Sequence, residues 1–182
     1  MSVPPHAVQL NEANDFLKKH PEVQFVDLLI ADMNGVVRGK RIERASLHKV
    51  YQRGINLPAS LFALDINGST VESTGLGLDI GDSDRVCYPI PNTLCNEPWQ
   101  KRPTAQLLMT MHEMEGEAFF ADPRAVLQQV VKKFDALGLT ICAAFELEFY
   151  LIDQDNVNGR PQSPRSPVSG KRPVSTQVYL ID

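Results

Sequence analysis

The stretch Phe145-Glu146-Leu147-Glu148-Phe149-Tyr150, inside a longer run from Leu139 to Ile152, carries the pattern that decides how this chain folds. Apolar and polar side chains alternate along it, and successive side chains of an extended chain point to opposite faces. Phe145, Leu147, Phe149 and Leu151 therefore fall on one side, and Glu146, Glu148 and Tyr150 on the other. The run predicts a long strand. With about 3.3 Å of rise per residue, the two glutamates start roughly 6.6 Å apart on one face. That spacing suits two neighbouring cations better than a proton shared between carboxylates. The same alternation also describes a strand with one wet face, and periodicity by itself favours that plainer reading.

Working outward, the prolines at 161, 164, 167 and 173 among Ser, Gly and Arg give residues 154–175 the composition of a loop. Thr176 to Ile181 regains strand character, so the domain that holds the glutamates reads as unfinished at Asp182. On the upstream side, Asp122 is a favourable helix cap and Pro123 suits a first helical turn. Val126, Val130, Phe134 and Leu137 then repeat at helical spacing until Gly138. Before that helix, Ala105 to His112 alternates as a strand, and Val86 to Ile90 reads as a shorter one.

The first third has its own logic. Asn11 can cap a short amphipathic helix that stops before Pro21. Val23 to Asp32 and Val36 to Ile42 read as a hairpin, with Asn34-Gly35 as a type I′ turn. A helix follows from Arg44 to Arg53, with Leu47, Val50 and Tyr51 on one face and Gly54 as a left-handed cap. Leu61 to Ile66 is expected as a strand, and the glycines from Gly68 to Gly77 mark an extended loop. The sum is an α+β domain, a mixed sheet on helices, ending near Glu115. Residues 116–182 form the start of a second domain.

With 182 residues, 43% of them hydrophobic, the chain can bury a real core. A net charge of -4 with scattered basic residues argues against nucleic acid as a partner. No apolar run reaches the roughly 20 residues of a spanning helix, and the start lacks a signal-peptide pattern, so no membrane role and a cytoplasmic location are expected. Cys87, Cys95 and Cys142 fit no metal spacing and are expected as buried free thiols. Arg38, Lys40 and Arg41 read as a solvated sheet edge or a subunit contact. Trp99 reads as an anchor for its own loop or for an interface. His112, on the polar face of its strand, is assigned no role.

The string from Phe145 to Tyr150, following a helix opened by Asp122-Pro123-Arg124, resembles the start of the glutamine synthetase catalytic domain. The resemblance runs upstream in order through the segment from Val26-Asp27 to Ile42 and through the loop from Asp65 to Asp84, covering nearly the whole chain. The segments Leu64-Asp65-Ile66-Asn67-Gly68-Ser69-Thr70 and Gly81-Asp82-Ser83-Asp84-Arg85 are most similar to the branch that glutamylates amines, in particular putrescine.

This resemblance implies a β-grasp-like amino-terminal domain, residues 1–115, followed by the incomplete α/β catalytic domain. It implies an active site shared between neighbouring subunits of a ring-shaped homo-oligomer. Glu146 would bind the metal that holds the nucleotide phosphates, and Glu148 the metal beside glutamate and the transferring phosphate, both ions Mg²⁺ or Mn²⁺. Hard cations of this kind prefer oxygen ligands and neutralise charge on phosphoryl oxygens. The implied reaction is ATP-dependent. Phosphorylation turns the glutamate γ-carboxylate into one with a good leaving group, and an amine then displaces phosphate.

Ammonia-using members offer an Asp-Gly-Ser-Ser loop near the ammonium. The matching place here is Asn67-Gly68-Ser69-Thr70, and an asparagine supplies no full negative charge to draw ammonium or take its proton. Asp65, two residues away, is a substitute, and Asp84 is a candidate amine-binding residue or a turn former. Two rival readings remain: a glutamine synthetase that uses ammonia, and a non-catalytic module of the same family.

Overall fold

The computed structural model describes residues 10–77, 79 and 81–173. Its larger compact unit runs to Thr140, and a second unit begins at Ile141.

The first unit is built on a mixed sheet. Strand β1 (Phe25–Ala31) pairs antiparallel with β2 (Val37–Glu43), from Phe25 opposite Glu43 to Ala31 opposite Val37. The other side of β1 runs parallel to β6 (Thr104–His112), Phe25 opposite Thr104. Strand β4 (Asp84–Pro89) is antiparallel to β6, and β3 (Ile55–Pro58) closes that edge by pairing with β4. The order is β2-β1-β6-β4-β3, with the short β5 (Cys95–Asn96) also on β6. The chain is thus α+β, as its pattern implies, and the basic strand β2 does sit at a sheet edge.

Alternation decides which face is dry. Val26, Leu28 and Ile30 of β1 and Ala105, Leu107, Met109 and Met111 of β6 are buried, their neighbours in sequence less so. Helices α1 (Leu10–Lys19) and α2 (Leu47–Arg53) supply Ala13, Leu17, Leu47, Val50 and Tyr51 to the same core. A buried residue of this size stabilises by about 1.5–3 kcal/mol, so this face is the main source of stability. Arg44 locks α1 against α2, its guanidinium donating to the carbonyls of Leu17 at 2.7 Å and His20 at 2.8 Å. Those are carbonyls at the end of α1 that the helix itself leaves unpaired.

Several expectations need correction. The β1–β2 hairpin is present, but its turn is not type I′, which requires positive φ at both central residues. Positive φ falls on Gly35 alone, at 74°, and not on Asn34. The cause is Asp32, whose Oδ1 accepts from the backbone of Asn34 at 2.8 Å and of Val36 at 2.9 Å and so holds a five-residue loop. A type I′ turn does occur at Asn158-Gly159, with φ 51° and 73°, joining the two-residue strands β7 (Asn156–Val157) and β8 (Arg160–Pro161). This small hairpin lies inside the stretch expected to be loop throughout.

Leu61 to Ile66 is not a strand. Ala59–Ala63 winds as a buried 3-10 turn, because the free edge of β4 is already taken by β3. Leu64 then forms a single bridge to Thr70. Gly54 follows α2 with φ 69° but ψ -166°, so it is not a left-handed cap. The helix α3 (Pro123–Ala136) begins on Asp122 as expected, yet Val126, Val130, Phe134 and Leu137 are all exposed, and Ala125 is its buried residue.

Residues 139–152 form no strand, and they pair with no neighbour among the described residues. An extended segment becomes a strand only when its backbone N–H and C=O groups meet a second chain segment. The second unit instead holds the β7–β8 hairpin and Asp153, which forms an ion pair with Arg172 at 2.9 Å. The strand expected at Thr176–Ile181 lies outside the described residues. Among the described residues no helix is long and apolar enough to cross a membrane.

Candidate functional site

The Asp65 loop is built from its own backbone. Asp65 N–H donates to the Ser69 carbonyl at 2.8 Å, and Gly68 N–H returns to the Asp65 carbonyl at 3.0 Å. The Asp65 carboxylate tightens the loop further, Oδ1 accepting from the backbone of Asn67 and of Ser69, each at 2.8 Å. This is the local chemistry expected of an aspartate two residues before a turn. Its consequence is that Oδ1 is committed, while Oδ2 has no hydrogen-bond partner among the described residues. Asn67 stands exposed at the tip.

The loop is also held from outside. Asn34, at the tip of the β1–β2 hairpin, donates its side-chain Nδ2 to the Leu64 carbonyl at 2.8 Å. Asn34 is in turn positioned by buried Asp32, whose Oδ2 accepts from Arg38 Nε at 2.6 Å. Burial would push the Asp32 carboxyl up. The Arg38 guanidinium and the Val36 and Asn34 amides outweigh it and hold the group below its ordinary value. The sequence reading missed this support, although Asp32, Asn34 and Arg38 straddling an Asn-Gly turn were a visible signal.

Asp84 opens β4 opposite Pro58 and is exposed. No hydrogen bond or ion pair joins it to Asp65 or Asn67 among the described residues. Its neighbour Arg85 pairs with Glu113 and lies 5.5 Å from the centre of the Phe119 ring. Asp122 does more than cap α3. Its Oδ1 accepts from Arg124 N–H at 2.8 Å, while Oδ2 accepts from Met111 N–H at 2.8 Å and from the Thr110 hydroxyl at 2.9 Å. One buried carboxylate thereby fastens the helix start to the end of β6.

Glu146 and Glu148 lie in the unpaired stretch, exposed, alternating with Phe145 at 96%, Leu147 at 82% and Phe149 at 77% exposure. Two carboxylates are suitable donors for a hard divalent cation, but such an ion takes six or more oxygens. Among the described residues, no group of three or more His, Cys, Asp or Glu side chains is gathered to hold a metal. The pair can therefore supply only part of a coordination shell.

The remaining candidates are quieter. Arg38, Lys40 and Arg41 each have a partner, Arg41 gripping Asp27 with two bonds of 2.6 and 2.7 Å and Lys40 reaching the Asn56 carbonyl at 3.2 Å. His112 bonds the Gly116 carbonyl at 3.1 Å and meets the Tyr88 ring edge-on. All three cysteines are free, but only Cys87 is buried, which corrects the expectation for Cys95 and Cys142. Burial, with the negative charge of Asp122 second, pushes the Cys87 thiol up to about 12, so it is inert as a nucleophile. Trp99 is 68% exposed.

Residues 120–182 match the family model of the glutamine synthetase catalytic domain. The chain is 40% identical over 172 residues to "Gamma-glutamylputrescine synthetase PuuA" of Escherichia coli (strain K12), covering 94% of this chain and 36% of that protein. It is 32% identical over 147 residues to "Glutamate--isopropylamine ligase" of a Pseudomonas species, covering 80% of this chain and 32% of that one. Among solved structures, a novel glutamine synthase homolog superposes with a TM-score of 0.56 at 21% identity, over 63% of this chain and 27% of the other. That likeness is one of fold. The chain spans about a third of the length of the curated relatives it matches.

Proposed function

This chain belongs to the glutamine synthetase family, and from that premise we propose that it is part of an ATP-dependent ligase joining the γ-carboxyl of glutamate to an amine, putrescine in the first instance. The observation that carries the reading is the 40% identity to a γ-glutamylputrescine synthetase along almost the entire chain. Asn67 supports an amine over ammonia, since its amide offers no charge to an ammonium ion or base for its proton.

In this reading residues 1–115 are the amino-terminal domain, of β-grasp type, and residues 116–182 begin the catalytic domain. The mixed sheet with parallel β1 and β6 at its centre supports the first assignment, and the family match from residue 120 supports the second. Glu146 and Glu148 contribute carboxylate oxygens to the Mg²⁺ or Mn²⁺ ions of the nucleotide site. Such ions, when bound, neutralise charge on the phosphoryl oxygens. Asp65, Asn67 and Asp84 belong to the amine side, and the exposed tip of the Asp65 loop suits a contact across subunits of a cytoplasmic ring.

The test is the product of the complete reading frame, supplied with ATP, glutamate, Mg²⁺ and either putrescine or ammonia. Release of ADP with putrescine well above that with ammonia is expected. Equal rates with both would return the protein to the ordinary glutamine synthetases. Since two carboxylates make only part of a metal shell, the 182-residue chain by itself is expected to show no ATP turnover.

A further inference from the structure

The link from α1 to β1 and the loop that joins β5 to β6 line a cavity of about 260 Å³. Backbone bonds fix its walls: Gln24 N–H donates to the Pro103 carbonyl at 2.8 Å, and Glu97 N–H to the Thr104 carbonyl at 2.9 Å. Val23, Pro98 and Pro103 form the apolar part of the lining. Its polar part is rich in acceptors, the carboxylates of Glu22 and Glu97 and the side-chain amides of Asn96 and Gln100. Glu97 is only 7% exposed, yet its buried Oε2 accepts no hydrogen bond among the described residues. Asn96 donates its Nδ2 to His20 Nδ1 at 2.8 Å, and its buried Oδ1 is unpartnered as well. A buried acceptor is destabilising until a donor reaches it. The nearby cations do not supply one. Arg41 feels the Glu97 charge but grips Asp27 with its bonds of 2.6 and 2.7 Å. Lys101, exposed on the cavity wall, makes no ion pair with Glu97.

We infer that this cavity takes an alkylguanidinium cation, donating to the Glu97 carboxylate and to the Asn96 amide oxygen. The inference stands apart from the ligase reading and from the loop at Asp65. Size points to a group no larger than one side chain, because sites for larger molecules span about 300–1,000 Å³. Charge and hydrogen bonding point to a guanidinium. It carries five donors in a flat fork, enough to serve several acceptors at once, and it is more weakly hydrated than an ammonium, so it leaves water more readily. Its bond to a carboxylate is charge-assisted, stronger than that of a neutral amide. A hard divalent ion asks instead for six or more oxygens, and among the described residues no three His, Cys, Asp or Glu side chains gather to provide them. The same group is offered by a free arginine-like molecule and by an arginine side chain of a second copy of this chain.

The experiment titrates the isotope-labelled 182-residue chain with methylguanidinium chloride, and separately with N-methylurea and with methylammonium chloride, following backbone amide shifts. Saturable shifts at Val23, Asn96, Glu97, Gln100 and Thr104 are expected with methylguanidinium, and binding about tenfold weaker with either control. Glu97→Gln keeps the size of the side chain and removes its charge. It should weaken methylguanidinium by about tenfold without lowering the thermal midpoint. Lys101→Gln removes a like charge from an exposed wall position and should tighten binding about twofold, a second reading that does not depend on the Glu97 variant folding. Sedimentation over a range of chain concentrations tells the two sources apart. Self-association that both methylguanidinium and Glu97→Gln reverse assigns the cation to a second copy's arginine. A chain that stays monomeric while binding methylguanidinium saturably assigns it to a free molecule. Shifts elsewhere, none at all, equal binding by either control, or undiminished binding by a folded Glu97→Gln chain would overturn the assignment.

Discussion

Between Thr104 and His112, and again between Phe145 and Leu151, apolar and polar residues alternate for several positions, yet the two regions end in different states. Strand β6 has β1 along one edge and β4 and β5 along the other, so its backbone groups are paired and Leu107 and Met111 are fully buried. Residues 145–151 have no neighbouring strand among the described residues, and their apolar side chains stay in water. Alternation states which side chains would share a face. Only a second and third segment at hydrogen-bonding distance make that face worth burying.

The contrast predicts a ladder of effects, measured as urea unfolding of the 182-residue chain. Leu107→Ala, at a fully buried position of the central strand, should cost the most, about 2–5 kcal/mol, because the transfer loss and the cavity add. A loss below about 1 kcal/mol would mean that β6 is not the core strand that its burial indicates. Asp122→Ala should follow at about 2–4 kcal/mol, since it removes a helix cap and strands the buried Met111 N–H without an acceptor. The parent against Asp122→Ala comparison should show hydrogen exchange accelerating first at Met111 and in the first turn of α3.

Asp32→Asn comes next, at roughly 1.5–3 kcal/mol, because it removes the charge from the Arg38 bond while its amide oxygen can keep the two backbone bonds. Its signature is in pH. A carboxyl held below its ordinary value in the folded chain stabilises fully above the unfolded carboxylate pKa, about 3.9, and loses that stabilisation as pH falls below it. The parent should therefore lose stability below about pH 4 more steeply than Asp32→Asn. Parallel acid limbs would show that Asp32 is not the strained-for carboxylate of the hairpin.

What could be read from the residues follows the same physical division. The helices starting near Asn11, Arg44 and Asp122, the β1–β2 hairpin and strands β4 and β6 were legible because each rests on a local period, cap or turn, although Asn11 lies inside α1 and does not cap it. The turn type at Asn34-Gly35 was not, because a carboxylate two residues upstream outbid the pair's intrinsic preference. Nor was the 3-10 turn at Ala59–Ala63, where occupancy of the β4 edge by β3 settled the outcome. Of the candidate site, the loop from Asn67 onward was legible from its Asn-Gly-Ser signal, but its closure at Asp65, expected inside a strand, was not, nor was its brace through Asn34, since that contact spans 30 positions. Glu146 and Glu148 were legible as a spacing, but the strand meant to fix them depends on neighbours that no local pattern can supply.

The smallest expected effect is the most informative about that last point. Leu147→Ser in the 182-residue chain should change stability by less than about 0.5 kcal/mol, because an exposed side chain has little burial to lose. In the complete-frame product, if residues 145–151 gain strand neighbours there, the same substitution should cost about 2–4 kcal/mol, as for a core position. It should also lower Mg²⁺ affinity, because a loosened strand no longer holds Glu146 and Glu148 at a fixed separation. A measurable loss in the short chain would show that Leu147 already has a packing partner. A negligible loss in the long one would leave the alternation of 145–151 as the pattern of a wet, unpaired segment, and would remove the rigid seat that the metal reading of the two glutamates requires.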